Sequence, residues 1–430
     1  MRGTLSAGLV ISAALLLVVP SSSSAAGTQD VNCAPATGGG FGIVNGSITW
    51  AQPFTAGRSG KLLTVEVRSV ARNAGGSGGP IDVKLYATQS GVPVSPALAT
   101  AQIPAASIVA DNTFRDYVAD FSPATAPFLT QGTLYAIGLN TADTAQNAWR
   151  TWSDACPETV FVDSGSGFGF GSSQGEDFSF TTFLGPANDD FARAETLDGA
   201  ADVANGTTAG GTRETDEPDH LTIPPDAGGW VGDHSVWYGW TALGSGTTTV
   251  DVCTGAIDSI VAVYSLGGSG SSFADLTRVT DNNNGADEGN CPGGTFGAFA
   301  AFEAVAGTTY RFAVGDAGGA RESTFTIGVT GQADQPPAIT PIAPVPGSKT
   351  RKAKPRIKAG VTDATQLDDA NMSVSVDGQS RIVTYNPNTD IVSAKSQKLS
   401  KGRHTVTVTA SDGSLEGEAS WNFRVKRKRR

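Results

Sequence analysis

Leu63-Thr64-Val65-Glu66-Val67-Arg68 alternates apolar and polar side chains one residue at a time. In a strand, successive side chains point to opposite faces, so the alternation becomes one apolar face and one wetted face. Ile81-Asp82-Val83-Lys84-Leu85-Tyr86 repeats it, and Leu134-Tyr135-Ala136-Ile137-Gly138-Leu139 reads as a further strand. Between the first two lies Ala74-Gly75-Gly76-Ser77-Gly78-Gly79-Pro80, whose glycines tolerate positive φ and whose proline cannot donate to a ladder, so a turn or loop is expected there. Short strands at this spacing suit a β-sandwich.

Composition extends the reading to the whole chain. Of 430 residues, 54 are Gly and 22 Pro, and only 17% are charged. The 19 Phe, 7 Trp and 7 Tyr supply enough bulk for packed cores, which excludes wholesale disorder. Abundant Gly, Thr, Val and Ser favour strands and tight turns over helices, so the fold class is all-β. At roughly 100–200 residues per domain, the length suggests two to four domains. With 3 His in the chain and no His-Glu-x-x-His helix, the sequence is read as non-enzymatic.

Residues 1–26 combine Arg2, an apolar run from Leu9 to Val19, Pro20 and a small-residue stretch ending in Ala25-Ala26. This is the pattern of a secretory signal peptide, with cleavage expected after Ala25 or Ala26. The run falls short of the ~20 residues that cross a bilayer as a helix, so an uncleaved anchor would need a longer span. The expectation is a secreted protein, extracellular or associated with the cell surface, without membrane insertion. Export makes disulfides the default use of the 4 Cys. Of the three possible connectivities, keeping each bridge within one domain selects Cys33 with Cys156 and Cys253 with Cys291. A zinc site is the rival, but no Cys-x-x-Cys or nearby His pair supports it.

Charge divides the mature chain into three segments. Residues 27–185 hold 7 basic and 12 acidic residues, 186–332 hold 5 and 20, and 333–430 hold 17 and 9. Boundaries are expected at Gly185-Pro186 and at the proline-rich stretch from Gln335 to Gly347, read as a semi-rigid, extended linker. In Trp149-Arg150-Thr151-Trp152 the indoles must point to opposite faces of a strand, so one is core. The other is an exposed platform for a sugar ring or a partner, or is half covered by a loop. In Val236-Trp237-Tyr238-Gly239-Trp240, period two places aromatic bulk on both faces, which implies a buried central strand.

The excess of acids in the middle segment suits a hard cation, which takes carboxylate and carbonyl oxygens. Asp189, Asp190, Asp216, Glu217 and Asp219 are the candidate calcium ligands, and Asp281 to Glu288 forms a further acidic cluster. That cluster is not an EF-hand loop, because Ala286 occupies the position where such a loop needs Gly. A solvated acidic surface is the alternative. His220 and His234, each preceded by Asp, are the histidines a hydrolase would recruit. In the third segment, basic residues cluster from Lys349 to Arg356 and from Lys426 to Arg430, and could attract an anionic polymer or merely be solvated. Nucleic acid is not expected, because no aromatic residues interleave the basic blocks.

Three resemblances accompany these readings. The first segment, through Trp50-Ala51-Gln52-Pro53-Phe54-Thr55-Ala56-Gly57, Gly91-Val92-Pro93 and Asp177-Phe178-Ser179-Phe180-Thr181-Thr182-Phe183, resembles a jelly-roll-like sandwich of bacterial extracellular proteins. The second carries Asn188-Asp189-Asp190-Phe191, Glu217-Pro218-Asp219-His220, Ser235 to Ala242, Asp258 to Tyr264 and Ala306 to Val314. Together these resemble the bacterial pre-peptidase C-terminal domain, a small accessory sandwich of secreted proteins that sometimes binds calcium or an extracellular polymer. The third, with strands at Arg356 to Val361, Met372 to Val376, Arg381 to Thr384, His404 to Thr409 and Ser420 to Val425, and turns at Asp377-Gly378 and Asp412-Gly413, is similar to bacterial immunoglobulin-like domains. The resulting expectation is three tandem β-sandwiches at 27–185, 186–332 and 333–430. They would form a secreted protein that binds extracellular polysaccharide or cell-wall polymer, or alternatively an accessory, targeting component of a secreted hydrolase.

Overall fold

The structure, a computed structural model, describes residues 27–426 apart from 34–36, 75–77, 124, 143–146, 154–155, 166–168, 173–176, 222–233, 256–257, 284, 286–289, 292–296, 317–323 and 364–366. The signal-peptide reading of 1–26, the tail 427–430 and much of the cluster from Asp281 to Glu288 fall outside the described residues. Strands form nearly all of the regular structure, joined by turns and single turns of 3-10 helix. They assemble into six sheets, two drawn from residues 28–184, two from 195–332 and two from 338–425.

In the first pair, an eight-stranded and a six-stranded sheet enclose a common core. The stretch from Leu63 to Arg68 lies inside a strand, Gly60–Arg72, and its apolar members Leu63, Val65 and Val67 are fully buried. The partner strands Ile81–Gln89 and Leu134–Thr141 contribute Ile81, Val83, Leu85, Ile137 and Leu139 to the same core. Each such side chain contributes roughly 1.5–3 kcal/mol through removal from water. The opening strand Thr28–Cys33 lies antiparallel to the closing strand Phe180–Leu184, with Thr28 opposite Leu184 and Cys33 opposite Phe180. Cys33 is bonded to Cys156, and in the second unit Cys253 is bonded to Cys291, so both pairings read from domain locality are present.

The second unit stacks a five-stranded sheet on a four-stranded one. Its strand Val236–Thr241 runs between Glu195–Leu197 and Thr309–Asp316, with neighbours on both sides. Val236, Tyr238 and Trp240 enter the inter-sheet core, whereas Trp237 enters a second cluster with Phe191, Ala262 and Tyr264. Aromatic bulk on both faces of one strand is therefore buried on both.

The third unit pairs a four-stranded with a five-stranded sheet around Ile357, Val361, Val374, Val406, Trp421 and Phe423. Two local readings change. The proline-rich stretch is not wholly a linker, because Ala338–Ala343 is a strand paired with Arg356–Thr362. It lies at the sheet edge, where the missing N–H of Pro341 breaks no second ladder. The strand expected from Arg381 begins instead at Val383. Asp377 and Gly378 both take positive φ and join Met372–Val376 to Gln379–Ser380 by a two-residue hairpin turn, as that dipeptide favours. Asp412-Gly413 sits in a longer turn, with Ser411 opposite Glu416, and the Asp412 carboxylate accepts from the N–H groups of Ser414 and Leu415.

Candidate ligand-binding surfaces

The five carboxylates named as calcium ligands do not converge. Asp189 and Asp190 are held by a lysine from the first unit, with Lys61 Nζ 2.9 Å from Asp189 Oδ2 and 2.6 Å from Asp190 Oδ1. Thr212 donates its N–H and its hydroxyl to Asp189 as well. Burial pushes the Asp189 carboxyl above its ordinary range, against the pull of Lys61 and Thr212. Asp216 is exposed, at φ 66°. Asp219 receives Arg213 Nη2 at 2.6 Å. Among the described residues, no three or more His, Cys, Asp or Glu side chains stand together as a metal site. Sequence spacing could not anticipate this, because the cation that occupies Asp189 and Asp190 comes from a strand more than a hundred residues earlier.

Glu217 is buried and holds three neighbours. Its Oε1 accepts from the Ser235 hydroxyl and lies 2.9 Å from His220 Nε2, while Oε2 accepts from the Glu214 N–H at 2.7 Å. His220 Nδ1 lies 3.0 Å from the Tyr264 hydroxyl, whose pKa burial pushes up to about 12. Serine, carboxylate and imidazole are thus present, but the carboxylate stands between the other two. In a hydrolytic relay the imidazole must touch the hydroxyl to take its proton. Here the hydroxyl is spent on the carboxylate, and the cluster satisfies buried polar groups. His234 Nδ1 donates to the Gly211 carbonyl at 2.6 Å.

The two indoles of the first unit separate as their spacing requires. Trp149 is fully buried and stacks on Phe178 at 4.2 Å between centroids. Trp152 is half-buried on the other face, with the Arg150 guanidinium 4.7 Å from its ring centre. The same guanidinium lies 5.5 Å from the Phe114 ring. Opposite Arg150 in the adjacent strand stands Phe41, 60% exposed, followed by Ile43, exposed and opposite Ala148. Phe114 and Trp152 thereby flank one cation, with Phe41 at the cross-strand position beside it. Phe41 gave no sequence signal, since its strand Thr37–Val44 is glycine-rich and lacks alternation.

A groove of about 630 Å³ lies where the first two units meet, with Arg58 on one side and Asn205, Thr254 and Thr326 on the other. The last three stand opposite one another across adjacent strands, making a row of amide and hydroxyl groups. In the third unit, the basic block from Lys349 to Arg356 is divided between a two-residue strand, an exposed bend and the start of the strand Arg356–Thr362. No helix among the described residues is long and apolar enough to cross a membrane.

No protein-family model matches the chain, and no curated protein matches it. Among solved structures, it is similar to an endo-β-1,4-mannanase from Thermotoga petrophila, at 16% identity over 22% of this chain and 20% of that one, with a TM-score of 0.20. It spans about a fifth of that enzyme's length. A fucolectin from striped bass (Morone saxatilis) serum is similar at 9% identity over 68% of this chain and 86% of that one, with a TM-score of 0.19. The BSP domain of a biofilm-associated protein is similar at 9% identity over 93% and 83%, with a TM-score of 0.18. Overlays this loose carry no argument about ligand or activity.

Proposed function

We propose that the chain is a non-enzymatic, extracellular binder of polysaccharide, and that the outer face of the first sandwich grips the glycan. The observation that carries this reading is the Arg150 guanidinium set between Phe114 and Trp152 with Phe41 exposed beside it. The C–H-rich face of a sugar ring is apolar and stacks on an aromatic ring, while its rim of hydroxyls needs donors. A guanidinium supplies a fork of donors and keeps its charge at every physiological pH. Arg150 makes no ion pair among the described residues, so that fork is available to a ligand. Two disulfides fit an oxidising compartment.

The test is retention of the full chain on insoluble polysaccharides and purified cell wall, with calcium and with chelator. Retention on at least one glycan, unchanged by chelator, is expected. Phe41→Ala and Arg150→Ala should each weaken it about tenfold, the loss typical of truncating an interface anchor. Retention of both variants at the original strength overturns the assignment to this face. Loss on chelation would move the site to the acidic middle unit. If a secreted hydrolase co-purifies with the chain and retention needs it, the accessory-component reading replaces this one.

A further inference from the structure

The third sandwich carries a cavity of about 440 Å³ on the outer face of its four-stranded sheet, and three cations line it: Arg356, Arg381 and Lys395. They are far apart in sequence and arrive there through the fold. Arg356 and Lys395 are direct cross-strand partners in an antiparallel ladder. Like charges directly opposite in a sheet are destabilising, so this register costs the folded protein free energy unless something negative lies over it. Arg381 precedes its strand, and its guanidinium donates to the carbonyls of Ser380 at 2.9 Å and Val376 at 3.4 Å, which fixes its direction. Its Nε is buried, with no hydrogen-bond partner among the described residues.

No carboxylate lines the cavity among the described residues. Asp377 is the acid that feels Arg381, but its two oxygens are taken by His404 Nδ1 at 2.7 Å and the Thr405 N–H at 2.9 Å. None of the three cations forms an ion pair among the described residues. The remaining polar lining is neutral, with Thr384 opposite Ser393 on adjacent strands and Gln397 nearby.

We infer that this cavity binds an acidic glycopolymer, a sugar chain bearing carboxylate or phosphate groups. Three cations that form no ion pair among the described residues select an anion. Hydroxyl and amide neighbours suit the hydroxyls of a sugar rather than a bare ion. No aromatic ring among the described residues lines the cavity, which argues against the stacking platform that single-stranded nucleic acid requires. The site is separate from the aromatic face of the first sandwich and takes a different ligand chemistry, so either assignment can fail alone.

The experiment measures binding of the full chain to polygalacturonate, which carries carboxylates, and to poly(ribitol phosphate), which carries phosphodiesters. Uncharged dextran and single-stranded DNA are the comparisons. Binding to one or both acidic glycans, falling steeply with salt and absent for dextran, is expected. The pair Arg356→Gln and Lys395→Gln together should lower affinity at least about tenfold, the scale of two charge-assisted hydrogen bonds. Lys352→Gln with Lys354→Gln removes the same charge from the same module outside the cavity, and should change affinity by less than about twofold. Removing the opposed cations should leave the melting temperature of the unliganded protein equal or higher, so lost binding is not lost folding. Equal losses in the two double variants, or binding to neither acidic glycan, overturns the site. DNA binding as tight as the glycan binding overturns the ligand class. Phe41→Ala should leave this binding unchanged.

Discussion

His404 has both ring nitrogens aimed at acceptors, Nδ1 at the Asp377 carboxylate at 2.7 Å and Nε2 at the Ser400 carbonyl at 2.9 Å. Only the protonated ring can donate to both. Burial opposes the charge, but the Asp377 carboxylate and the Ser400 carbonyl outweigh it, and the pKa rises above its ordinary 6.5. On Asp377, burial is likewise opposed by His404 and the Thr405 N–H, and the pKa falls below 3.8. A base with a raised pKa contributes stability that is complete below its unfolded value and lost as pH climbs through the folded one. An acid with a lowered pKa contributes stability present above 3.8 and lost as pH falls through its folded value. The third sandwich should therefore be most stable between these limits, and its melting temperature should decline as pH rises past the ordinary 6.5 and through the raised value of His404. In His404→Gln that decline should vanish. An equal slope in the variant would remove His404 as its source. Asp377→Asn tests the other partner, and asparagine tolerates the positive φ of that turn.

At the level of strands, most of the architecture was legible because it is local. Alternation placed Leu63 to Arg68 and Ile81 to Tyr86 within strands, which run over Gly60–Arg72 and Ile81–Gln89, and paired aromatics marked Val236 to Trp240 as a buried central strand. The strand Ala338–Ala343 was hidden by Pro341, which an edge position tolerates, and by the prolines on either side of it. The candidate surfaces were far less legible. Trp152 could be singled out from its spacing to Trp149, but Phe41 reaches the same patch only through strand register. Arg356 lay in a visible basic block, whereas Arg381 and Lys395 join it through a hairpin and a ladder. Strand contacts also explain a glycine that composition alone could not single out. In Ala201–Thr207, a Cβ on Gly206 would collide with the Tyr238 hydroxyl and the Phe325 ring. Gly206→Ala should destabilise the second sandwich by about 1–3 kcal/mol, the cost of overpacking a filled site, as read from denaturant unfolding. An unchanged midpoint would mean that the strand shifts freely.

Across the whole molecule, Lys61 ties the first sandwich to the second through Asp189 and Asp190, and the Arg193 guanidinium lies 3.7 Å from the centre of the Phe128 ring at the same junction. The exposures of the Lys61 and Asp189 side chains are 13% and 2%, so this is a desolvated pair rather than a surface one. Removing one partner of such a pair strands the other, at about 3–5 kcal/mol. Lys61→Met should lower the melting temperature and speed proteolysis near Gly185-Pro186. A digestion rate equal to that of the parent chain would show that the junction holds without the lysine.

The first sandwich also has a mechanical character, set by the neighbouring positions of its first and last strands. Because Thr28 lies opposite Leu184, tension drawn through the chain enters and leaves at the same end of one ladder. Its hydrogen bonds would open one after another, like a zip, instead of sharing the load. On the N-terminal side the opening runs as far as Cys33, where the bond to Cys156 carries the force past the residues between them. In its oxidised form the domain can thus be drawn out only through its ends, up to Cys33 from one side and back to Cys156 from the other, and reduction would put the shielded middle under load.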